Sequence, residues 1–151
     1  MRVQQIRIAA TMSFLLEPSL VPMMDVSSHR VPGDVLIVED DPIIALDFED
    51  TILGFGARTV RVAASVTRAL QFIEQRAPDF ALLDIGLMRE KSFAVAERLE
   101  ALNIPFAFVT GYSADVELPA AFARKPRLSK PCAADALEAA VRRAVSDGSG
   151  R

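Results

Sequence analysis

The feature that most constrains this chain is a repeated pattern: a short apolar run stops abruptly at a polar residue, and a helix-like segment follows. Val35-Leu36-Ile37-Val38 ends in Glu39-Asp40-Asp41. Phe80-Ala81-Leu82-Leu83 ends in Asp84, Ile104 to Val109 ends in Thr110, and Arg127 to Ser129 ends in Lys130. Arg58 to Ala63 is a fifth strand candidate, though it carries Arg58, Thr59 and Arg61 and does not stop at a polar residue. Continuous apolar runs of this length read as strands buried on both faces, as in a parallel sheet. The intervening segments carry helical periodicity. Asp41-Pro42 opens a helix in which Ile44, Phe48, Ile52 and Phe55 form one face, and Gly54 and Gly56 stop it. Ser65 caps a second helix with Val66, Ala69, Leu70 and Ile73 inward and Pro78 closing it. Ser92 to Leu102 places Val95, Leu99 and Leu102 on one side, and Ala134 to Val145 carries a stripe of Leu137, Ala140, Val141, Ala144 and Val145. After Tyr112 two readings stand: a short helix over Leu118 to Ala123, or a loop, since Pro119 and Pro126 leave little room. Five strands alternating with about five helices predict an α/β fold, a parallel sheet covered on both faces.

The first 33 residues differ. Arg2 and Arg7 precede an apolar stretch from Ile8 to Leu16, followed by Glu17-Pro18 and a run through Pro22, Ser27-Ser28 and Pro32-Gly33. The apolar stretch is far shorter than the ~20 residues of a membrane span, and no small-residue cleavage site directly follows it. A mobile tail, an amphipathic extension packed on the domain, and a mis-set start (Met23 and Met24 lie just ahead of the organised region) are the readings it allows. The expected organisation is a disordered or mis-annotated extension over 1–33, one domain over 34–146, and a flexible Gly/Ser-rich tail over 147–151. No further domain is expected after the last helix.

Composition narrows the chemistry. A net charge of −3 and a pI near 5.2 offer no basic field for nucleic acid. One cysteine, Cys132, and one histidine, His29, leave little for a disulfide, a zinc site or a histidine triad. A reducing, cytoplasmic setting with no membrane attachment is expected.

The strand-end residues carry the functional signal. In an open α/β sheet, ligands bind beyond the carboxyl ends of the strands. Parallel strands would therefore bring Asp40, Asp84, Thr110 and Lys130 to one edge despite separations of 44, 26 and 20 residues. Singly, each has a plain explanation: acids cap helices, threonine makes turns, lysine is solvated. Together, three carboxylates, a hydroxyl and an ammonium make a poor structural cluster. Unit charges ~4 Å apart interact by roughly 4 kcal/mol at an effective dielectric of ~20, so Glu39, Asp40 and Asp84 repel without a cation. A hard divalent ion such as Mg²⁺ relieves this, and metal, carboxylate nucleophile, cation and hydroxyl are the components of phosphoryl transfer to aspartate.

These motifs carry a resemblance. Val35-Leu36-Ile37-Val38-Glu39-Asp40-Asp41-Pro42, Leu82-Leu83-Asp84-Ile85-Gly86-Leu87, Phe108-Val109-Thr110-Gly111-Tyr112 and Leu128-Ser129-Lys130-Pro131 resemble, in order and spacing, the receiver domains of response regulators. The resemblance implies a flavodoxin-like five-stranded parallel sheet of order 2-1-3-4-5. It implies Asp84 as phosphoacceptor and member of the metal site, Asp40 as direct Mg²⁺ ligand, Glu39 as ligand through water, and the Gly86 carbonyl as a further ligand. Thr110 and Lys130 would contact the phosphoryl group, and Lys130-Pro131 is expected to be cis.

Pro105-Phe106-Ala107-Phe108-Val109-Thr110-Gly111-Tyr112 is similar to the "FATGUY" receivers, often stand-alone and linked to HWE-type sensor kinases, with Val109 in place of alanine. That subgroup implies a reduced or mobile fourth helix. The aromatic usual three residues before the lysine is Arg127 here, so Tyr112 and the 112–126 loop are expected to carry the signal instead. Implied partners are a sensor histidine kinase and a histidine phosphotransfer protein or downstream regulator, with the chain a monomer or weak dimer. It is expected to be a signalling protein rather than an enzyme, with only self-catalysed phosphorylation and slow dephosphorylation.

Three rival readings fare less well. An aspartate-nucleophile phosphatase or dehalogenase needs a second acid at position 86, which is Gly. A nucleotide-binding fold wants a Gly-rich loop where Glu39-Asp40-Asp41-Pro42 stands. A degenerate receiver that binds partners without phosphorylation stays as the alternative.

Overall fold

Every apolar run forms a strand. The computed structural model describes residues 31–111 and 116–148, and the elements are β1 (Asp34–Val38), α1 (Pro42–Gly54), β2 (Thr59–Ala63), α2 (Val66–Gln75), β3 (Phe80–Asp84), α3 (Phe93–Ala101), β4 (Phe106–Thr110), a 3-10 turn (Ala120–Phe122), β5 (Arg127–Ser129) and α4 (Ala134–Gly148). The sheet is parallel throughout in the order β2-β1-β3-β4-β5.

Side chains alternate along a strand, so each central strand feeds two cores. Leu36, Val38, Ala81, Leu83, Phe106 and Phe108 face α2, α3 and Phe122. Val35, Ile37, Phe80, Leu82, Ala107 and Val109 face α1 and α4. Nearly every side chain of β1, β3 and β4 is buried, which is why these runs lack polar alternation.

Local chemistry sets the helix starts and stops. Asp41 caps α1 by accepting from the Ile43 N–H at 2.9 Å and the Ile44 N–H at 3.3 Å, with Pro42 at the first position. Ser65 caps α2 through the Arg68 N–H at 3.1 Å. Gly56 adopts φ 117° after α1, and Asn103 adopts φ 56° after α3, where asparagine tolerates the left-handed region. Leu102, expected inside, is 39% exposed because α3 ends just before it and its position is the cap rather than the core-facing stripe. Strand β4 begins at Phe106 rather than Ile104, although the Pro105 carbonyl already accepts from the Ala81 N–H at 3.1 Å.

Four α-helices are present among the described residues, and where a further helix would join β4 to β5 there is the single 3-10 turn Ala120–Phe122. Pro119 and Pro126 bracket this segment and deny it a longer hydrogen-bonded ladder. No helix among the described residues is long and apolar enough to cross a membrane.

The amino-terminal edge of the sheet is tied by a polar knot. Asp34 accepts from Arg61 Nε at 3.1 Å and Nη2 at 2.9 Å, and from Arg76 Nε at 2.9 Å. Arg61 also donates to the carbonyls of Phe72 and Arg76, both at 2.9 Å. The Asp34 and Arg61 side chains are only 15% and 13% exposed, so the pair is largely shielded from solvent. Asp34→Ala would leave Arg61 buried without its carboxylate. We expect a loss of about 2–3 kcal/mol, read as a fall in Tm of roughly 10 °C. An unchanged melting curve would mean the carbonyl contacts alone hold Arg61.

Candidate functional site

The carboxyl ends of β1, β3, β4 and β5 meet at the opposite edge, and with them the residues singled out from sequence. Glu39 follows β1, its N–H bonded to the Ala63 carbonyl at 3.0 Å and its side chain 2% exposed. Asp84 ends β3 and is 5% exposed, and Thr110 ends β4 at 3%. Asp40 is half-buried beside them. Glu39, Asp40 and Asp84 each offer a carboxylate oxygen within 4.8 Å of the others. An all-oxygen set this tight fits a hard cation rather than zinc or copper.

Lys130 supplies the positive charge. Its Nζ lies 2.6 Å from Glu39 Oε2 and 2.9 Å from Asp84 Oδ2. The Lys130 N–H donates to the Thr110 carbonyl at 2.8 Å, fixing the end of β5 against β4. The Lys130–Pro131 peptide is cis, as expected. Burial would lower the Lys130 ammonium, but its hydrogen bonds to Glu39 and Asp84 and their charges outweigh this and raise it. Burial pushes the Glu39 carboxyl above its ordinary range, the bonds from Lys130 and the Asp41 N–H pull against it, and the charge of Asp84 adds to the rise.

Backbone donors position all three acids. The Asp41 N–H donates to Glu39 Oε1 at 3.1 Å, the Gly86 N–H to Asp84 Oδ1 at 3.2 Å, and the Met88 N–H to Asp40 Oδ2 at 2.6 Å. Gly86 is exposed, and a Cβ added there would meet nothing within 4 Å, so the mouth beside Asp84 is open. The loop after β3 is also tied outward, because Glu90 Oε1 accepts from the Val66 N–H at 2.9 Å at the start of α2.

The fold therefore gathers Glu39, Asp40, Asp84, Gly86, Thr110 and Lys130 at one edge. Arg127 does not join them. It is exposed on β5, and its Nη2 reaches the Val116 carbonyl at 3.4 Å. Tyr112 lies outside the described residues. Sequence reasoning does not find the Met88 and Glu90 contacts. The first is a backbone bond with no residue signature, and the second involves one acid in a charged loop.

A parallel 2-1-3-4-5 sheet with this edge defines a receiver fold, and residues 35–142 match the response regulator receiver domain, so the chain belongs to that family. Among solved structures it is similar to SdrG from Sphingomonas melonis, with 38% identity, 77% of this chain and 98% of that one covered, and a TM-score of 0.68. The anti-anti-sigma factor PhyR from Bartonella quintana is 25% identical over 85% of this chain and 53% of that one, with a TM-score of 0.69. The phyllosphere-induced regulator PhyR of Methylorubrum extorquens is 35% identical over 82 residues, which is 52% of this chain. The match spans 31% of that regulator's length.

Proposed function

We propose that the chain is a cytoplasmic response regulator receiver that accepts a phosphoryl group on Asp84 from a sensor histidine kinase. The observation that carries this reading is the convergence of three carboxylates within 4.8 Å, with Lys130 bonded to two of them and Thr110 ending the neighbouring strand. Mg²⁺, when bound, would neutralise the acids and the incoming phosphoryl oxygens. Asp40 would be its direct ligand, with Asp84 beside it, Glu39 acting through water and the Gly86 carbonyl completing the protein's share.

An Asp84 oxygen attacks phosphorus in line, the bond to the donor nitrogen breaks, and its electron pair leaves with the donor imidazole. Lys130 then exchanges a carboxylate contact for a phosphoryl oxygen, and the Thr110 hydroxyl donates to another. The open space beside Gly86 leaves room for the donor's approach.

The motif from Pro105 to Tyr112 supports placement among the FATGUY-type receivers served by HWE kinases. Output through protein contact fits a relative described as an anti-anti-sigma factor. The signal passes through Tyr112 and the 112–126 loop in this reading.

The test is an amide NMR titration with Mg²⁺ and beryllofluoride. Shifts at Glu39, Asp40, Asp84 and Thr110 that require both components are expected. A flat spectrum would refute the reading and leave a phosphorylation-independent binding module.

A further inference from the structure

We infer that Phe122 is an aromatic relay between the acidic edge and the 116–126 segment, so that filling the site releases that segment. The inference rests on the phosphoacceptor reading above. Phe122 is the one fully buried residue of 116–126, at 3% exposure. Its ring sits 5.8 Å from Phe108, 6.0 Å from Phe106 and 6.4 Å from Phe93. Phe93 also meets Phe108 edge-on at 6.2 Å, and Phe106 meets Phe108 at 5.5 Å.

Two routes run from the site to this box. Phe108 lies two residues before Thr110 on β4, on the same face of the strand. Phe93 is the first residue of α3 and follows Ser92, whose N–H bonds the Ile85 carbonyl at 3.3 Å, one residue past Asp84. A movement of Thr110 toward a group on Asp84, or of the loop after β3, therefore presses on rings that all touch Phe122. Close-packed interiors yield by switching arrangement rather than by compressing.

The 116–126 segment is the part able to yield. Strands β3 and β4 are buried throughout, and α3 packs along them. Between its two ends the segment's backbone bonds are short-range, from the Phe122 N–H to Pro119, the Ala123 N–H to Ala120 and the Lys125 N–H to Phe122, while at the ends the Pro126 carbonyl accepts from the Phe108 N–H at 2.8 Å and the Val116 carbonyl from Arg127 Nη2 at 3.4 Å. Beyond Phe122, Lys125 tethers it by an ion pair to Glu100 at 2.6 Å and by lying 4.8 Å over the Phe106 ring. Val116 and Leu118 are only partly buried.

The Arg124–Lys125 bond reports on release, because Arg124 is exposed and trypsin does not cut before Pro126. The full chain is digested with and without Mg²⁺ plus beryllofluoride, with fragments identified by mass. Cleavage after Arg124 is expected to speed up roughly fivefold or more in wild type, the scale of ordinary coupling between sites. Asp84→Asn should show no change. Phe122→Leu, which keeps the apolar fill but not the ring contacts, should reduce the ratio below about twofold while leaving the beryllofluoride shift at Asp84 in place. Lys125→Ala, which leaves the box intact, should raise cleavage in both states and preserve the ratio.

Amide shifts at Asp84 with unchanged cleavage in wild type would overturn the relay alone. The relay also falls if Phe122→Leu keeps the full ratio or Lys125→Ala abolishes it. Absence of any shift in wild type would overturn the phosphoacceptor reading and the relay with it.

Discussion

Asp84→Asn is expected to abolish phosphoryl adduct formation from acetyl phosphate, measured by intact mass with Mg²⁺ present. The cause is chemical rather than steric. Asparagine preserves the shape of the side chain, and the Gly86 N–H can still donate to its oxygen in place of Asp84 Oδ1. It lacks the anionic oxygen that attacks phosphorus, and an amide is a far weaker nucleophile. It also removes one of three carboxylates from the cation site, so Mg²⁺ affinity falls at the same time. The fold should survive, because Lys130 retains its 2.6 Å pair with Glu39. An adduct of unchanged yield in the variant would place the acceptor elsewhere, and peptide mapping would then locate it.

Lys130→Met should have the largest effect on stability. The ammonium bridges Glu39 and Asp84, whose side chains are 2% and 6% exposed, so its removal strands two buried acids without a counter-charge. Breaking such a pair from one side costs on the order of 3–5 kcal/mol. The pH dependence has a definite sign. The Glu39 carboxyl is already raised by burial, and a carboxyl raised in the folded state contributes stability at low pH that is lost as pH rises through its folded value. Loss of Lys130 strengthens that trend, so the gap between variant and wild type is widest at neutral pH and closes on acidification. Mg²⁺ stabilises each protein by about 1.4 kcal/mol at ten times that protein's own Kd, so at a fixed concentration it should narrow the gap as far as the variant, whose acids lack the ammonium, binds the cation more tightly. Urea unfolding at neutral and mildly acidic pH, with and without Mg²⁺, measures all three effects. A gap independent of pH would show that the loss is one of packing by the lysine stem rather than of charge.

The strand ends are legible in the sequence because the physics there is simple. A run such as Val35 to Val38 suits a strand buried on both faces, and parallel strands deliver their terminal residues to a single edge. Glu39, Asp84, Thr110 and Lys130 are therefore readable as neighbours from spacing and residue type. The bond between Lys130 and Glu39 is not, since spacing places both residues at an edge without saying which pairs with which. The hold of the Met88 N–H on Asp40 is hidden for another reason: any non-proline residue carries that donor. Leu102 satisfies helical periodicity but falls one residue past the end of α3, where periodicity no longer decides burial. The connection from β4 to β5 admits two readings in sequence, and the shortness of its 3-10 turn, Ala120–Phe122, follows from Pro119 and Pro126. Its anchoring by Phe122 depends on three other phenylalanines, spread over 93–108, meeting at one point.

The alternation of side chains along β1, β3 and β4 also bears on how such a chain can diversify. Phe108 and Val109 are adjacent in sequence, yet one belongs to the core under α2 and α3 and the other to the core under α1 and α4. The two cores are separated by the backbone of the sheet, so substitutions in one leave the other's packing largely undisturbed and combine close to additively. One half of the molecule is thereby free to drift in sequence, acquiring new surface contacts on α1 and α4, while the half that holds the aromatic box keeps its arrangement. Divergence between duplicated copies can proceed on one face of the sheet at a time.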